Sequence, residues 1–217
     1  MRLIPAILGR LFHLLYHAFA WAYDLVAAAV SLGQWKGWVL AALPYVEGRR
    51  VLELGCGPGH LQQAMRGRSL VAFGLDESRP MSRLAAKNLK RNGCAQINLT
   101  RGLTQALPFP AGAFETVVAT FPSEYIFDPR TLAEVHRALS AGGRLVVLPF
   151  AWITGRRLLE RLLAWLFRLT GEAPDPVGVL SAQMKKPFLK AGFAVSVACS
   201  ESKSSVLLFV LARKSRL

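Results

Sequence analysis

Short apolar runs alternate with amphipathic stretches through most of this chain. Arg50–Leu54, Leu70–Leu75, Ala95–Thr100, Phe114–Thr120 and Arg144–Phe150 are compact and largely apolar or alternating, as strands of a covered sheet are. Between them, Pro58–Arg66, Arg79–Asn92 and Pro129–Leu139 space their apolar residues by three and four, the period of a helix. Ala141-Gly-Gly143 reads as a turn before the fifth strand. Strand–helix alternation with short links predicts right-handed βαβ units, hence a mostly parallel sheet with helices on both faces. The ending differs. Phe193–Cys199 and Ser205–Leu211 are two more apolar runs, and the link Ser200–Ser204 is too short for a parallel crossover. An antiparallel hairpin and a seven-stranded α/β sheet are therefore expected. Residues 1–47 and 151–180 stand outside the alternation and are expected to form an N-terminal helical cap and an amphipathic helical insertion on one domain spanning residues 1–217.

The link after the first strand carries the most chemical information. Residues 51–60 read Val-Leu-Glu-Leu-Gly-Cys-Gly-Pro-Gly-His. Glycines 55, 57 and 59 let bare main chain approach a ligand, and the following helix points free N–H groups into the turn. A dinucleotide fingerprint wants its third glycine five residues after the first. Here Gly59 follows Gly55 by four, His60 takes the dinucleotide position, and Glu53 stands inside the strand. The second strand runs into Asp76, whose carboxylate can accept hydrogen bonds from both hydroxyls of a ribose.

Strand, triple-glycine turn, helix, strand and acid, in that order, resemble the class I S-adenosylmethionine-dependent methyltransferases. The resemblance implies a Rossmann-like fold, S-adenosyl-L-methionine as cofactor and a methyl-transfer activity. It places Glu53, Gly55, Cys56, Gly57 and Gly59 in the cofactor loop, and Asp76 with Glu77 at the ribose. Gln105-Ala-Leu-Pro-Phe-Pro110 followed by Phe114-Glu-Thr-Val-Val118 is similar to the family's "A-L-P-F-P … F-D-x-V" signature beside the adenine. Leu103 stands where relatives carry an acidic or amide residue, so backbone groups of Leu103 and Thr104 are the expected adenine contacts. Glu115 replaces the usual Asp and reads equally as a solvated acid at the strand's start.

The N-terminal segment narrows the resemblance. Phe19-Ala-Trp-Ala-Tyr-Asp-Leu-Val26, Ser31-Leu-Gly33 and Trp35 with Trp38 look like the quinone-biosynthesis C-methyltransferases, and some bacterial phospholipid N-methyltransferases are similar. The likeness covers residues 19–150. It implies that Tyr23 lies over the cofactor, with plain packing as the competing role. Thr120 falls where the quinone enzymes place a cofactor-contacting Ser. The loop Thr120-Phe-Pro-Ser-Glu-Tyr-Ile126 follows the fourth strand, and ligands bind at the carboxyl ends of such strands. Glu124 and Tyr125 are the candidates to orient an acceptor or take its proton. Cys56 and His60 read as packing or capping residues.

Composition bears on the acceptor. The chain has 217 residues, 27 Lys+Arg against 13 Asp+Glu, a net charge of +14 and 53% hydrophobic residues. Such an excess favours anionic partners. Three scattered cysteines, Cys56, Cys94 and Cys199, offer neither a disulfide framework nor zinc spacing, and no metal is expected. No run of 18 uncharged apolar residues occurs, and Arg10, His13 and His17 interrupt the signal-like start, which is expected to be retained. Residues 155–170 read as a basic amphipathic helix: Arg157, Arg161 and Arg168 share one face and leucines fill the other. Residues 3–21 behave similarly. Both favour contact with a membrane or lipid, against packing on the sheet or on another subunit. RNA would ask for basic residues interleaved with aromatics at the mouth, and only Phe121 and Tyr125 are there. The expectation is a cytoplasmic enzyme, peripheral at the inner membrane surface, that methylates a quinone precursor or a phospholipid head group. An RNA or protein methyltransferase, and a non-catalytic cofactor-binding module, remain as alternatives; the oligomeric state is open.

Overall fold

The computed structural model describes residues 23–94, 96–154, 179–202 and 204–216. The amphipathic helices read from residues 3–21 and 155–170 lie outside these. Among the described residues, no helix is long and apolar enough to cross a membrane.

Seven strands form one sheet: β1 Arg50–Leu54, β2 Val71–Asp76, β3 Asn98–Arg101, β4 Phe114–Thr120, β5 Leu139–Ile153, β6 Phe193–Ser202 and β7 Ser205–Lys214. Their spatial order is β3-β2-β1-β4-β5-β7-β6. The first five pair in parallel, and β7 inserts antiparallel between β5 and β6. The expected α/β architecture and C-terminal hairpin are both present. Chain order reverses between β1 and β4, and that switch opens a crevice at their carboxyl ends.

The helices are α1 Tyr23–Val30, α2 Trp35–Leu40, α3 His60–Gly67, α4 Arg79–Arg91, α5 Pro129–Ala138 and α6 Val179–Lys190. Alternate side chains of each strand feed opposite faces of the sheet. Leu52, Leu54, Val117, Leu145 and Val147 pack with Val135 of α5 and Phe188 of α6. Val51, Val118, Val146 and Phe209 pack with Trp38 of α2 and Leu61 and Met65 of α3. Glu53 has the parity of Val51, so it is turned toward α3. Two helix starts are capped as their sequences require. The Ser78 hydroxyl accepts the Met81 N–H, the Asp128 carboxylate accepts the Arg130 N–H, and proline follows in each first turn.

Three differences from the sequence reading have a clear physical cause. The turn expected at Ala141–Gly143 is an excursion inside one long strand: Leu139 pairs with Phe114 and Arg144 with Thr116, so residues 140–143 bulge out. The helix expected from Pro58 begins at His60, because Gly59 is left-handed at φ +87 and serves as its N-cap. The hairpin strands run longer than expected and leave only residues 203–204 between them, because ladder bonds continue from Phe193–Lys214 to Ser202–Ser205.

Candidate active site

The glycine turn is clipped to the end of β2. The Gly55 and Cys56 N–H groups both donate to the Leu75 carbonyl, at 2.8 and 3.3 Å. The Gly57 N–H donates to Asp76 Oδ2 at 2.9 Å, and the Ser78 N–H donates to Asp76 Oδ1 at 2.9 Å. One buried carboxylate thus holds the turn with one oxygen and the start of α4 with the other. Gly55, Gly57 and Gly59 have φ values of +65, +48 and +87, all left-handed. A Cβ at Gly59 would sit 3.3 Å from Ala85 Cβ, so this glycine serves the close approach of α3 to α4. A Cβ at Gly57 would meet nothing within 4 Å, so this residue leaves the space beside the turn open.

That space is a cavity of about 830 Å³. Glu53, Gly55, Cys56, Gly57, Asp76, Glu77, Thr104, Thr120 and Tyr125 line it, so most of the residues singled out from the sequence converge there. Four do not. Gly59 lies behind the turn. Leu103 is half exposed and lines a smaller recess with Glu77, Arg101 and Gly102. Glu124 is an exposed residue of a short 3₁₀ helix, Glu124–Phe127, outside the lining. Tyr23 begins α1, and its side chain lies outside the described placement.

Among the lining residues not singled out as site residues are Trp35 and Val39 from α2, Gln105, and Phe121 after β4. His60, read as a capping or packing residue, also lines the cavity as the first residue of α3. Phe121 has φ +48, rare for a bulky residue and worth roughly 1–3 kcal/mol of strain. Its N–H donates to the Leu148 carbonyl at 2.7 Å, and its ring stacks on Trp35 at a centroid distance of 4.3 Å. Gln62 was missed as well. Its amide donates to Glu53 Oε2 at 2.8 Å and to the Phe73 carbonyl at 3.0 Å. Nothing in a polar residue on a helix announces such a role.

The cavity carries the opposite sign to the protein around it. Three acidic residues line it, Glu53, Asp76 and Glu77, and among the described lining residues there is no Lys or Arg. Burial raises the Glu53 carboxyl from 4.5 to about 8; the Gln62 hydrogen bond opposes the rise and the Asp76 charge adds to it. The Cys56 thiol is pushed well above its ordinary value, first by burial and then by Glu53 and Asp76, so it stays protonated. Burial, then Asp76 and Glu53, also raise the Tyr125 phenol, which donates to the Leu54 carbonyl at 3.3 Å. Tyr125 is therefore a hydrogen-bond donor at neutral pH and not a base. Glu115 lies far from this chemistry: its carboxylate accepts the Arg50 N–H at 2.6 Å and pairs with the Arg50 guanidinium.

This donor set fits S-adenosylmethionine. The sulfonium and ammonium groups of that cofactor are cationic, and carboxylates with bare main-chain amides are the matching lining. A pyrophosphate would meet Asp76 and Glu77 instead, with no Lys or Arg among the described lining residues.

Residues 51–143 match the family described as a methyltransferase domain. A demethylmenaquinone methyltransferase of Symbiobacterium thermophilum is 30% identical over 216 residues, covering 82% of this chain and 83% of its own. The chain belongs to the class I S-adenosylmethionine-dependent methyltransferases of the quinone-biosynthesis type. A demethylmenaquinone methyltransferase of Thermobifida fusca is 28% identical across 86% of this methyltransferase and 84% of that protein. The solved structure of a methyltransferase from Methanosarcina mazei has the same fold, with a TM-score of 0.56 at 20% identity over 81% of this chain and 97% of that one.

In this methyltransferase the cofactor supplies an electrophilic methyl carbon when bound. The chain's own part is to hold and to exclude. The Gly55–Gly57 main chain and Asp76 are fixed to each other before any ligand arrives, so little ordering remains to be done on binding. Holding two reactants in attack geometry in this way is worth up to roughly 7–11 kcal/mol of barrier.

Proposed function

We propose that this methyltransferase methylates a ring carbon of a demethylated quinol at a membrane surface. The carrying observation is the 30% identity to the Symbiobacterium thermophilum protein, which runs across 82% of this chain and not only through the glycine turn. Two features support the reading. The cavity wall beyond Thr120 is apolar and aromatic, formed by Trp35, Val39, Phe121 and Pro122. The chain also carries +14 with 53% hydrophobic residues, which suits work beside anionic lipid. Residues 3–21, apolar with a narrow stripe of Arg10, His13 and His17, and residues 155–170, basic and leucine-rich, are the proposed lipid contacts.

In this reading Glu53 and the glycine turn take the methionine end of the cofactor, Asp76 and Glu77 the ribose, and Thr104 the adenine side. Thr120 and Tyr125 stand between cofactor and acceptor, with Tyr125 donating a hydrogen bond. Glu124 has no part in the reaction.

The test is methyl transfer from labelled S-adenosylmethionine into phosphatidylglycerol vesicles containing either demethylmenaquinol or phosphatidylethanolamine. Label in the quinol alone is the expected result. Label in the ethanolamine lipid alone would replace this reading with head-group methylation, and label in neither would remove it.

A further inference from the structure

We infer that Phe121 and Trp35 form the wall that holds a planar aromatic acceptor ring, an inference that deepens the methyl-transfer reading above and rests on it. Phe121 follows the last residue of β4, where the switch in strand order opens the sheet. Both rings line the cavity. They are stacked at 4.3 Å between centroids with planes 28° apart, and the Trp38 ring stands behind at 6.1 Å from Phe121.

The backbone of Phe121 gives an independent reason. At φ +48 a residue with a Cβ is strained, and Pro122, next in the chain, further narrows what Phe121 can adopt. Glycine or asparagine would take this conformation more easily. Strain of this kind persists where surroundings over-determine it, and it gathers at ligand clamps. Here the Leu148 carbonyl fixes the Phe121 N–H, and Trp35 fixes the ring. Trp35 is held in turn: its N–H donates to Ser31 Oγ at 2.9 Å, and its neighbour Gln34 is bonded to Ser204 and Ser205.

The chemistry of this end selects a ring over a phosphorylated amine. The rings touch, so no planar group fits between them, and a ligand lies against their cavity side. The lining also includes Val39 and Pro122, with Thr120, Ser123 and His60 among its polar residues. A phosphate would find no Lys or Arg among the described lining residues. An uncharged hydroxylated ring finds an aromatic face and hydrogen-bonding partners for its hydroxyls.

The test is calorimetric titration of 1-naphthol and of phosphoethanolamine into protein saturated with S-adenosylhomocysteine. Wild type is compared with Phe121→Leu, Phe121→Tyr and Trp35→Leu. The expected result is a Kd for 1-naphthol raised about tenfold in Phe121→Leu and Trp35→Leu, and restored to within about threefold by Phe121→Tyr. The S-adenosylhomocysteine Kd should move less than about twofold in every folded variant, which a merely structural role would not guarantee, and phosphoethanolamine should give no heat. Equal 1-naphthol binding by wild type and Phe121→Leu overturns the wall, and so does binding of phosphoethanolamine alone. Should folded wild type bind no S-adenosylhomocysteine, the methyl-transfer reading fails, while 1-naphthol titrated into the same protein without it still tests the wall.

Discussion

The Asp76 carboxylate and the Gly57 amide meet at 2.9 Å, joining the end of β2 to the tip of the glycine turn. With the Ser78 N–H on its other oxygen, Asp76 fixes the turn before any ligand arrives. Asp76→Ala orphans two backbone donors, so stability should fall by about 2–4 kcal/mol in urea titration. The cofactor Kd should rise a hundredfold or more by calorimetry. Asp76→Asn, which keeps one acceptor oxygen, should fall between. A cofactor Kd unchanged in Asp76→Ala would place the ribose elsewhere.

Glu53 makes stability and binding depend on pH. Its carboxyl titrates near 8 in the folded protein against 4.5 ordinarily, so the folded state holds a proton that the unfolded state has released. That contribution is fully present below pH 4.5 and is lost as pH rises through about 8. Wild type should therefore lose stability between pH 5 and 8 relative to Glu53→Gln. The ceiling, set by the rise from 4.5 to about 8, is about 5 kcal/mol. A cationic ammonium beside Glu53 favours its ionised form, so cofactor binding near pH 7 should release up to about one proton. Calorimetry in buffers of different ionisation heat measures this, and Glu53→Gln should abolish it.

Gly57→Ala separates space from folding. Its Cβ would touch nothing within 4 Å, so the cost is the left-handed φ of +48, roughly 1–2 kcal/mol. The methyl group would occupy open space beside the turn, room that the proposed reading gives to the cofactor. Near-normal melting with at least a thirtyfold weaker cofactor is expected, and equal cofactor affinity would put the ligand away from this turn.

Tyr125→Phe tests whether the phenol acts as a base. Burial keeps it protonated, and its hydroxyl contacts the Leu54 carbonyl. The variant should lose less than about tenfold in kcat, with the shape of the pH–rate profile unchanged. Loss of an ionisation from that profile would restore Tyr125 as a proton acceptor.

Gln34 fastens the N-terminal helices to the hairpin turn, donating to Ser204 Oγ at 3.3 Å and accepting from Ser205 Oγ at 3.0 Å. Gln34→Ala should cost about 1–2 kcal/mol by chemical denaturation. It should also weaken 1-naphthol more than S-adenosylhomocysteine, because Trp35 is the next residue.

The sequence by itself determined what depends on neighbouring residues. Apolar periods of two and between three and four placed the strands and helices. Glycine spacing announced backbone able to turn left-handed at 55, 57 and 59, because dihedral preference acts within a few residues. Only the tertiary structure decided the rest. Ala141–Gly143 became a bulge because β4 and β7 hold both flanks of β5. Gln62 became the partner of Glu53 when α3 closed over β1. Phe121 took a strained φ because Leu148 and Trp35, distant along the chain, hold it there. These contacts join residues far apart in sequence. Their energies depend on burial and close approach, which no local pattern encodes and which arise only once the sheet has brought its strand ends together.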